Sequence, residues 1–273
     1  MKSIAVLSGD KRQDYISQYL IEQGYHAYLK STMDFNNDDY IVCSTPFCKK
    51  GKYLNCDFYS SYPIETFAKL LKPNQTVFGG NIPKDLYHLK DIMFVDILED
   101  ENVVLYNAVL TAEGLVSYII NNTDSTIRNA KILILGFGRC GMNIAKILTA
   151  LSGKVTIYDH TAIHLIQAEA NGYKGICYDD LINYIDQFDI IINTVPEEIF
   201  KETHYMNLKK NCSLFEIASS PYGFDEKLVN KYNLSLITCP GIPGATAPKT
   251  AGELIAKSII SYLERIGING SQL

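Results

Sequence analysis

The seven cysteines of this 273-residue chain include no Cys-x-x-Cys pair, and no pair of histidines accompanies the loose group Cys43, Cys48 and Cys56. No metal site is therefore expected, and reduced thiols in a cytoplasmic protein are the expectation. A basic excess is missing too. The formal net charge is −5, and the densest cationic cluster is the short Lys49-Lys50-Gly51-Lys52. That balance excludes nucleic acid as an expected partner. No uninterrupted apolar run approaches the roughly 20 residues of a membrane span. The N-terminus has only four consecutive strongly apolar residues, from Ile4 to Leu7, too few for a secretory signal. Neither a membrane span nor a leader is expected. Low-complexity segments and internal repeats are also absent. What remains is 47% hydrophobic and 20% charged, enough to bury a core in one large domain or two ordinary ones.

The most informative segment lies mid-chain. Residues 132–135 are a strand-like apolar run that ends in Gly136-x-Gly138-x-x-Gly141, and a helical pattern through Met142, Ile144, Ala145, Ile147 and Leu148 follows. Strand, glycine turn and helix in this order bind a dinucleotide. Gly136 permits the tight turn, Gly138 lets a pyrophosphate approach the backbone, and Gly141 lets the helix pack on the strand. The helix N-terminus, with Arg139 and Cys140 in its first turn, offers N–H groups and the positive end of a dipole.

Strands and helices alternate on both sides of this turn. Strands are expected at 3–8, 25–29, 40–44, 76–80 and 92–97, with helices at 14–23 and 63–71. Gly9-Asp10-Lys11-Arg12 reads as a turn. A helix at 110–121 bridges two domains. A second set of strands follows at 131–135, 155–158, 189–193, 213–217 and 234–238, and a last helix covers 250–263. The fold class expected is α/β, two doubly wound parallel-sheet domains.

Several constellations at strand ends are candidates for chemistry. Asp159 closes the second strand of the nucleotide fold, 23 residues after Gly136, where an acid accepts hydrogen bonds from the adenosine ribose. An acid there favours NAD over NADP, although His160 and Thr161 beside it soften repulsion of a 2′-phosphate. Asn193-Thr194-Val195-Pro196 ends another strand, so Thr194, Val195 and Pro196 border the nicotinamide half or simply terminate the strand. The loop from Cys239 to Thr250 carries three prolines and two glycines, which argues for an ordered segment. Lys249 and Thr250 start the last helix and suit a carboxylate, or merely cap it. Arg12 is either a bidentate carboxylate clamp or a surface arginine. Thr111 and Glu113 face a cleft between domains and orient substrate or relay a proton, unless Thr111 is a cap. Of the five histidines only His160 sits at a suitable strand end, so the histidine base of a simple 2-hydroxy acid dehydrogenase is not evident.

Taken together, residues 8–13, 106–114, 135–142, 192–196 and above all Pro240-Gly-Ile-Pro-Gly-Ala-Thr-Ala-Pro-Lys-Thr-Ala-Gly252 resemble the dipicolinate synthase A-subunit family nearly end to end. The resemblance implies an N-terminal flavodoxin-like domain at 1–108, a Rossmann domain at 109–248, and a helix at 249–265 that packs back on the first. It implies oxidation of dihydrodipicolinate, a small cyclic dicarboxylate, to dipicolinate with NAD(P)+ during bacterial sporulation. It also implies a smaller, flavoprotein-like partner, the dipicolinate synthase B-subunit. A homo-oligomer is expected as well. The two ring carboxylates call for cations, which Arg12, Lys249 and Arg139 supply. Two departures stand out. The family pattern Ala-Ser-Arg-Pro-Gly-Gly is Ala218-Ser-Ser-Pro-Tyr-Gly223 here, and its Ala-Arg pair is Asp159-His160. The resemblance alone favours NADP, whereas Asp159 favours NAD. The alternatives are a D-hydroxy-acid or alanine-dehydrogenase-like enzyme on another substrate, and a nucleotide-binding subunit without turnover.

Overall fold

The computed structural model describes residues 2–49 and 51–268. The described residues up to Asn107, together with those from Gly244 onward, form one compact unit, and Ala108–Pro243 form the other. Each unit is an α/β layer structure around its own parallel sheet.

In the first unit, β1 (Ile4–Leu7), β2 (Ala27–Lys30), β3 (Tyr40–Val42), β7 (Thr76–Gly79) and β8 (Met93–Asp96) pair in the order β2-β1-β3-β7-β8, all parallel. This is the flavodoxin-like order. Ile4 and Val6 belong to one core layer, and Leu7 and Ile41 to the layer on the other side. Burial on both faces explains the continuous apolar runs in these strands. Helix α1 spans Lys11–Glu22 and is capped by Asp10, whose carboxylate accepts from the Arg12 amide. The expected turn at 9–12 is therefore a cap plus a first helical turn. Capping by an aspartate starts the helix three residues before the apolar spacing does.

Between β3 and β7 lies a small antiparallel sheet of β4 (Cys48–Lys49), β5 (Tyr53–Leu54) and β6 (Tyr62–Pro63). Two-residue strands carry no alternation, so nothing in the residue pattern marks them. The short helix α2 (Ile64–Ala68) follows, with Pro63 at its N-cap.

The helix expected at 110–121 is longer. Helix α3 runs from Glu101 to Asn122, with Val103 in the first unit's core and Ala112, Leu115 and Ile119 in the second's. Thr111 is thus inside the helix and not a cap. Among the described residues α3 is the one helix long and apolar enough, by length and composition, to cross a membrane. The expectation of no such segment counted only unbroken apolar runs; α3 reaches that hydropathy as an average, with Glu101, Glu113, Ser117 and several asparagines interspersed.

In the second unit, β9 (Lys131–Leu135), β10 (Lys154–Tyr158), β11 (Lys174–Ile176), β12 (Ile190–Asn193), β13 (Ser213–Glu216) and β14 (Ser235–Thr238) pair in parallel in the order β11-β10-β9-β12-β13-β14. That is the Rossmann order, with the strand sequence reversing direction between β9 and β12. Ile132 and Ile134 face one core layer, and Leu133 and Leu135 the other. The helices are α4 (Arg139–Ala150), α5 (Ala162–Ala170), α6 (Tyr178–Leu181), α7 (Glu202–Asn207) and α8 (Glu226–Lys231). The strand β11 has no counterpart in the expected set, because Lys174-Gly175-Ile176 is too short and too mixed to register.

The chain then returns to the first unit. The Pro-Gly loop contains a one-turn helix, α9 (Ile242–Thr246), and α10 (Pro248–Arg265) starts with proline in its first turn. Helix α10 packs on α1 at Gly252, where an added Cβ would lie 2.7 Å from the Arg12 carbonyl oxygen and 2.8 Å from Tyr15 Cβ. The two backbones approach this closely because position 252 has no side chain.

Candidate nucleotide-binding site

The carboxyl end of β9 meets α4 through Gly136, Phe137 and Gly138. Gly136 has φ +94°, a conformation glycine adopts without strain. A Cβ there would also lie 2.5 Å from Thr194 Oγ1 and 2.6 Å from Val195 Cγ2. At Gly141 a Cβ would overlap the Gly136 carbonyl oxygen. Gly138 is different: an added Cβ meets nothing within 4 Å, and α4 begins there without a side-chain cap. An open mouth at an uncapped helix N-terminus fits a pyrophosphate. Arg139 is exposed in this first turn, and Cys140 is half-buried behind it. Burial pushes the Cys140 thiol up, against the pull of Arg139.

Asp159 follows β10 and is 4% exposed. Its Oδ2 accepts from the Phe137 amide at 2.8 Å and contacts His164 Nδ1 at 2.9 Å, while Oδ1 accepts from the Thr161 amide at 2.8 Å. The carboxylate is thus tied to the glycine turn it would serve. Burial raises the Asp159 carboxyl, but the two amides and His164 outweigh it and leave it below the usual aspartate range. Asp159 therefore contributes stability that is complete above the ordinary aspartate value and is lost as pH falls through the lower folded value. The stability difference between the wild type and Asp159→Asn should be largest at neutral pH and shrink below about pH 4. Urea denaturation at a series of pH values measures it; a difference constant with pH would remove this contribution.

His160, by contrast, is largely exposed. Its Nδ1 stands 3.9 Å from Asp159 Oδ1 and 4.0 Å from Glu197 Oε1. His164 is the closer histidine, although it is not a candidate by strand position. It sits in the first turn of α5; its spacing of five from Asp159 is the only available signal.

Across the switch point, β12 ends in Asn193. Thr194 donates its hydroxyl to the Leu135 carbonyl at 2.8 Å, so Thr194 and Val195 wall the glycine turn, while Pro196 is exposed beyond them. Asn193 and Glu216 are register partners at the ends of β12 and β13, and Asn193 Nδ2 donates to Glu216 Oε1 at 2.8 Å. Burial pushes the Glu216 carboxyl up, against Asn193 and the backbone amides of Gly223, Ala218 and Phe224. Glu216 is absent from the sequence candidates, since its partners are mostly backbone groups with no signature of their own.

The remaining candidates divide between the two units. Thr111 is half-buried and Glu113 exposed on α3 within the second unit. Arg12, Lys249 and Thr250 belong to the first. Arg12 is 7% exposed. Its Nε donates to Asp10 Oδ1 at 2.9 Å, and its Nη2 donates to Asp10 Oδ2 and the Thr45 carbonyl. Its guanidinium is buried and paired with a largely exposed Asp10 carboxylate, so it is not the surface arginine offered as one alternative. Lys249 has a side chain 70% exposed, 3.9 Å from Glu253, and Thr250 is exposed beside it. Among the described residues no group of three His, Cys, Asp or Glu side chains could hold a metal ion.

Comparison with known proteins fits this geometry. The family described as S-adenosyl-L-homocysteine hydrolase, NAD binding domain, matches residues 107–240. The dipicolinate synthase A-subunit of Bacillus subtilis strain 168 is 33% identical over 297 aligned positions, covering 96% of each chain. The crystal structure of the dipicolinate synthase A chain from Bacillus subtilis superposes with a TM-score of 0.84 at 26% identity, over 97% of this chain and 96% of that one. D-lactate dehydrogenase from Escherichia coli shares the fold at a TM-score of 0.64 and 12% identity, over 98% of each chain. A Rossmann unit with this glycine turn and these relatives makes the protein an oxidoreductase linked to a nicotinamide cofactor. The chain belongs to the dipicolinate synthase A-subunit family.

Proposed function

We propose that this protein oxidises dihydrodipicolinate to dipicolinate with NAD+ in preference to NADP+, in spore formation and together with the smaller, flavoprotein-like B-subunit. Membership of the A-subunit family supports the reaction, and Asp159 supports the choice of nucleotide. Its carboxylate is held by two backbone amides and His164, where it can accept from ribose hydroxyls and repel a 2′-phosphate.

A hydride leaves a ring carbon, a proton leaves the ring, and the product is an aromatic pyridine. The bound nicotinamide cofactor supplies the hydride acceptor. Aromatisation provides driving force, so the protein mainly binds and orients. Backbone N–H groups at the start of α4 take the pyrophosphate, Thr194 and Val195 border the turn, and Asp159 holds the adenosine ribose. Lys249 is the candidate cation for a ring carboxylate, with Thr250 beside it. Arg12 keeps the Asp10 and Thr45 corner in place.

The test is an assay of the chain coexpressed with its smaller partner. With dihydrodipicolinate, reduced nucleotide and a pyridine dicarboxylate should appear in equal amounts, faster with NAD+ than with NADP+. Asp159→Ala should weaken NAD+ binding about tenfold, the loss of one charge-assisted contact, and NADP+ binding less. No product with either nucleotide would overturn the reaction, and an unchanged NAD+/NADP+ ratio would make Asp159 a bystander.

A further inference from the structure

We propose that the buried pair Asn193–Glu216 is a positioning clamp that sets the nicotinamide end of the nucleotide site. This rests on reading the second unit as the nucleotide-binding unit. The two residues end adjacent strands at the carboxyl edge of the sheet, the edge at which ligands bind in open α/β sheets. Asn193 is 0% exposed and Glu216 1% exposed.

A buried carboxylate needs its acceptor positions filled. Here they are, by N–H groups. Glu216 Oε1 accepts from Asn193 Nδ2 at 2.8 Å and from the Ala218 amide at 3.0 Å. Its Oε2 accepts from the Gly223 amide at 2.8 Å and the Phe224 amide at 3.2 Å. One carboxylate thus pins both ends of the loop 218–224, whose residues 219–222 are exposed. Gly223 has to be glycine for this, because a Cβ there would overlap the Asn193 amide.

Asn193 connects that loop to the next. Its Nδ2 also donates to the Val195 carbonyl at 2.8 Å, and its Oδ1 accepts from the Val195 amide at 3.2 Å. The amide can take only one orientation, with nitrogen toward Glu216. Val195 in turn abuts the glycine turn, which has no room for a side chain at Gly136. The clamp therefore joins two strand-end loops through two side chains, on the β12 and β13 side. Asp159, which serves the adenosine half, lies at the end of β10 and shares none of these bonds.

That separation supplies the test. In Glu216→Gln an –NH2 group replaces one oxygen and faces N–H donors, so one end of the loop is released. Calorimetric titration with NADH and with ADP, which lacks the nicotinamide half, reads the two halves separately. The variant should bind ADP within twofold of wild type and NADH about tenfold more weakly, the scale of hydrogen bonds to a charged group. In the holoenzyme at saturating nucleotide, kcat and kcat/KM for the ring substrate should fall by the same factor, with KM unchanged, because a misplaced nicotinamide is lost from the transition state alone. A purely structural role predicts a lower melting temperature with an unchanged ADP/NADH affinity ratio well below it, and that result overturns the proposal. If Glu216→Gln does not fold, Gly223→Ala displaces the same clamp with its carboxylate intact, and the same ratio decides. Failure of the wild type to bind either nucleotide would instead overturn the reading of the second unit.

Discussion

Replacing Gly141 with valine is expected to weaken NADH binding at least about a hundredfold, or roughly 3 kcal/mol. The first atom of the new side chain would overlap the Gly136 carbonyl oxygen and come within 3.7 Å of Ile134 Cγ2. The worst overlap is with backbone, which no rotamer change relieves. The strand end and the first turn of α4 must move apart, and the N–H groups at Gly138 and beyond then no longer converge on a pyrophosphate. Overpacking of this kind also costs stability, about 1–3 kcal/mol. Gly138→Ala is the control. Its Cβ meets nothing within 4 Å, so stability should change by less than about 0.5 kcal/mol, while the methyl group still obstructs the mouth and weakens binding. Fluorescence titration with NADH and thermal melts of both variants separate the two effects. A Gly141→Val protein that binds NADH within threefold of wild type would remove this turn from the site.

Arg12→Met should destabilise the first unit by about 2–3 kcal/mol. Removing one partner of a fully buried pair costs about 3–5 kcal/mol; the Asp10 side chain is 41% exposed, which screens part of that loss. What remains is a carboxylate without its guanidinium and a Thr45 carbonyl without its donor. Gly244 also packs against Arg12, with a would-be Cβ 2.8 Å from its Nε, so the planar group fills a fitted space. Hydrogen exchange of the β1 and α1 amides in urea reads the loss. Unchanged protection with a raised KM for the ring substrate would make Arg12 a substrate clamp instead.

Residues placed by the backbone geometry next to them were legible in the sequence. Gly136, Gly138, Gly141 and Asp159 share one local unit of strand, turn and helix, and the chemistry of that unit dictates their spacing. The central strands of both parallel sheets were legible as well, because strands buried on two faces are apolar throughout. Glu216 and His164 were not. A carboxylate that holds a loop by its amides leaves no side-chain pattern, and His164 reaches Asp159 only because α5 turns back over the end of β10. The first two turns of α3 escaped for another reason. Val103 faces one core and Ala112 the other, while Leu105, Tyr106 and Val109 are exposed, so no single apolar stripe marks the helix.

Helix α10 belongs to the unit that begins the chain, whereas the residues Ala108–Pro243 are contiguous. The order of synthesis therefore matters. The nucleotide-binding unit can close on itself once Pro243 has emerged, but β1 to β8 must wait for the final helix to cover Ile4, Val6 and Ile16, with which Ile255, Ala256 and Ile259 share a core. Until then that sheet carries an open apolar face on a growing chain, which is where a chaperone would act. A stop codon just before α10 would spare the unit completed first and strand the one begun first.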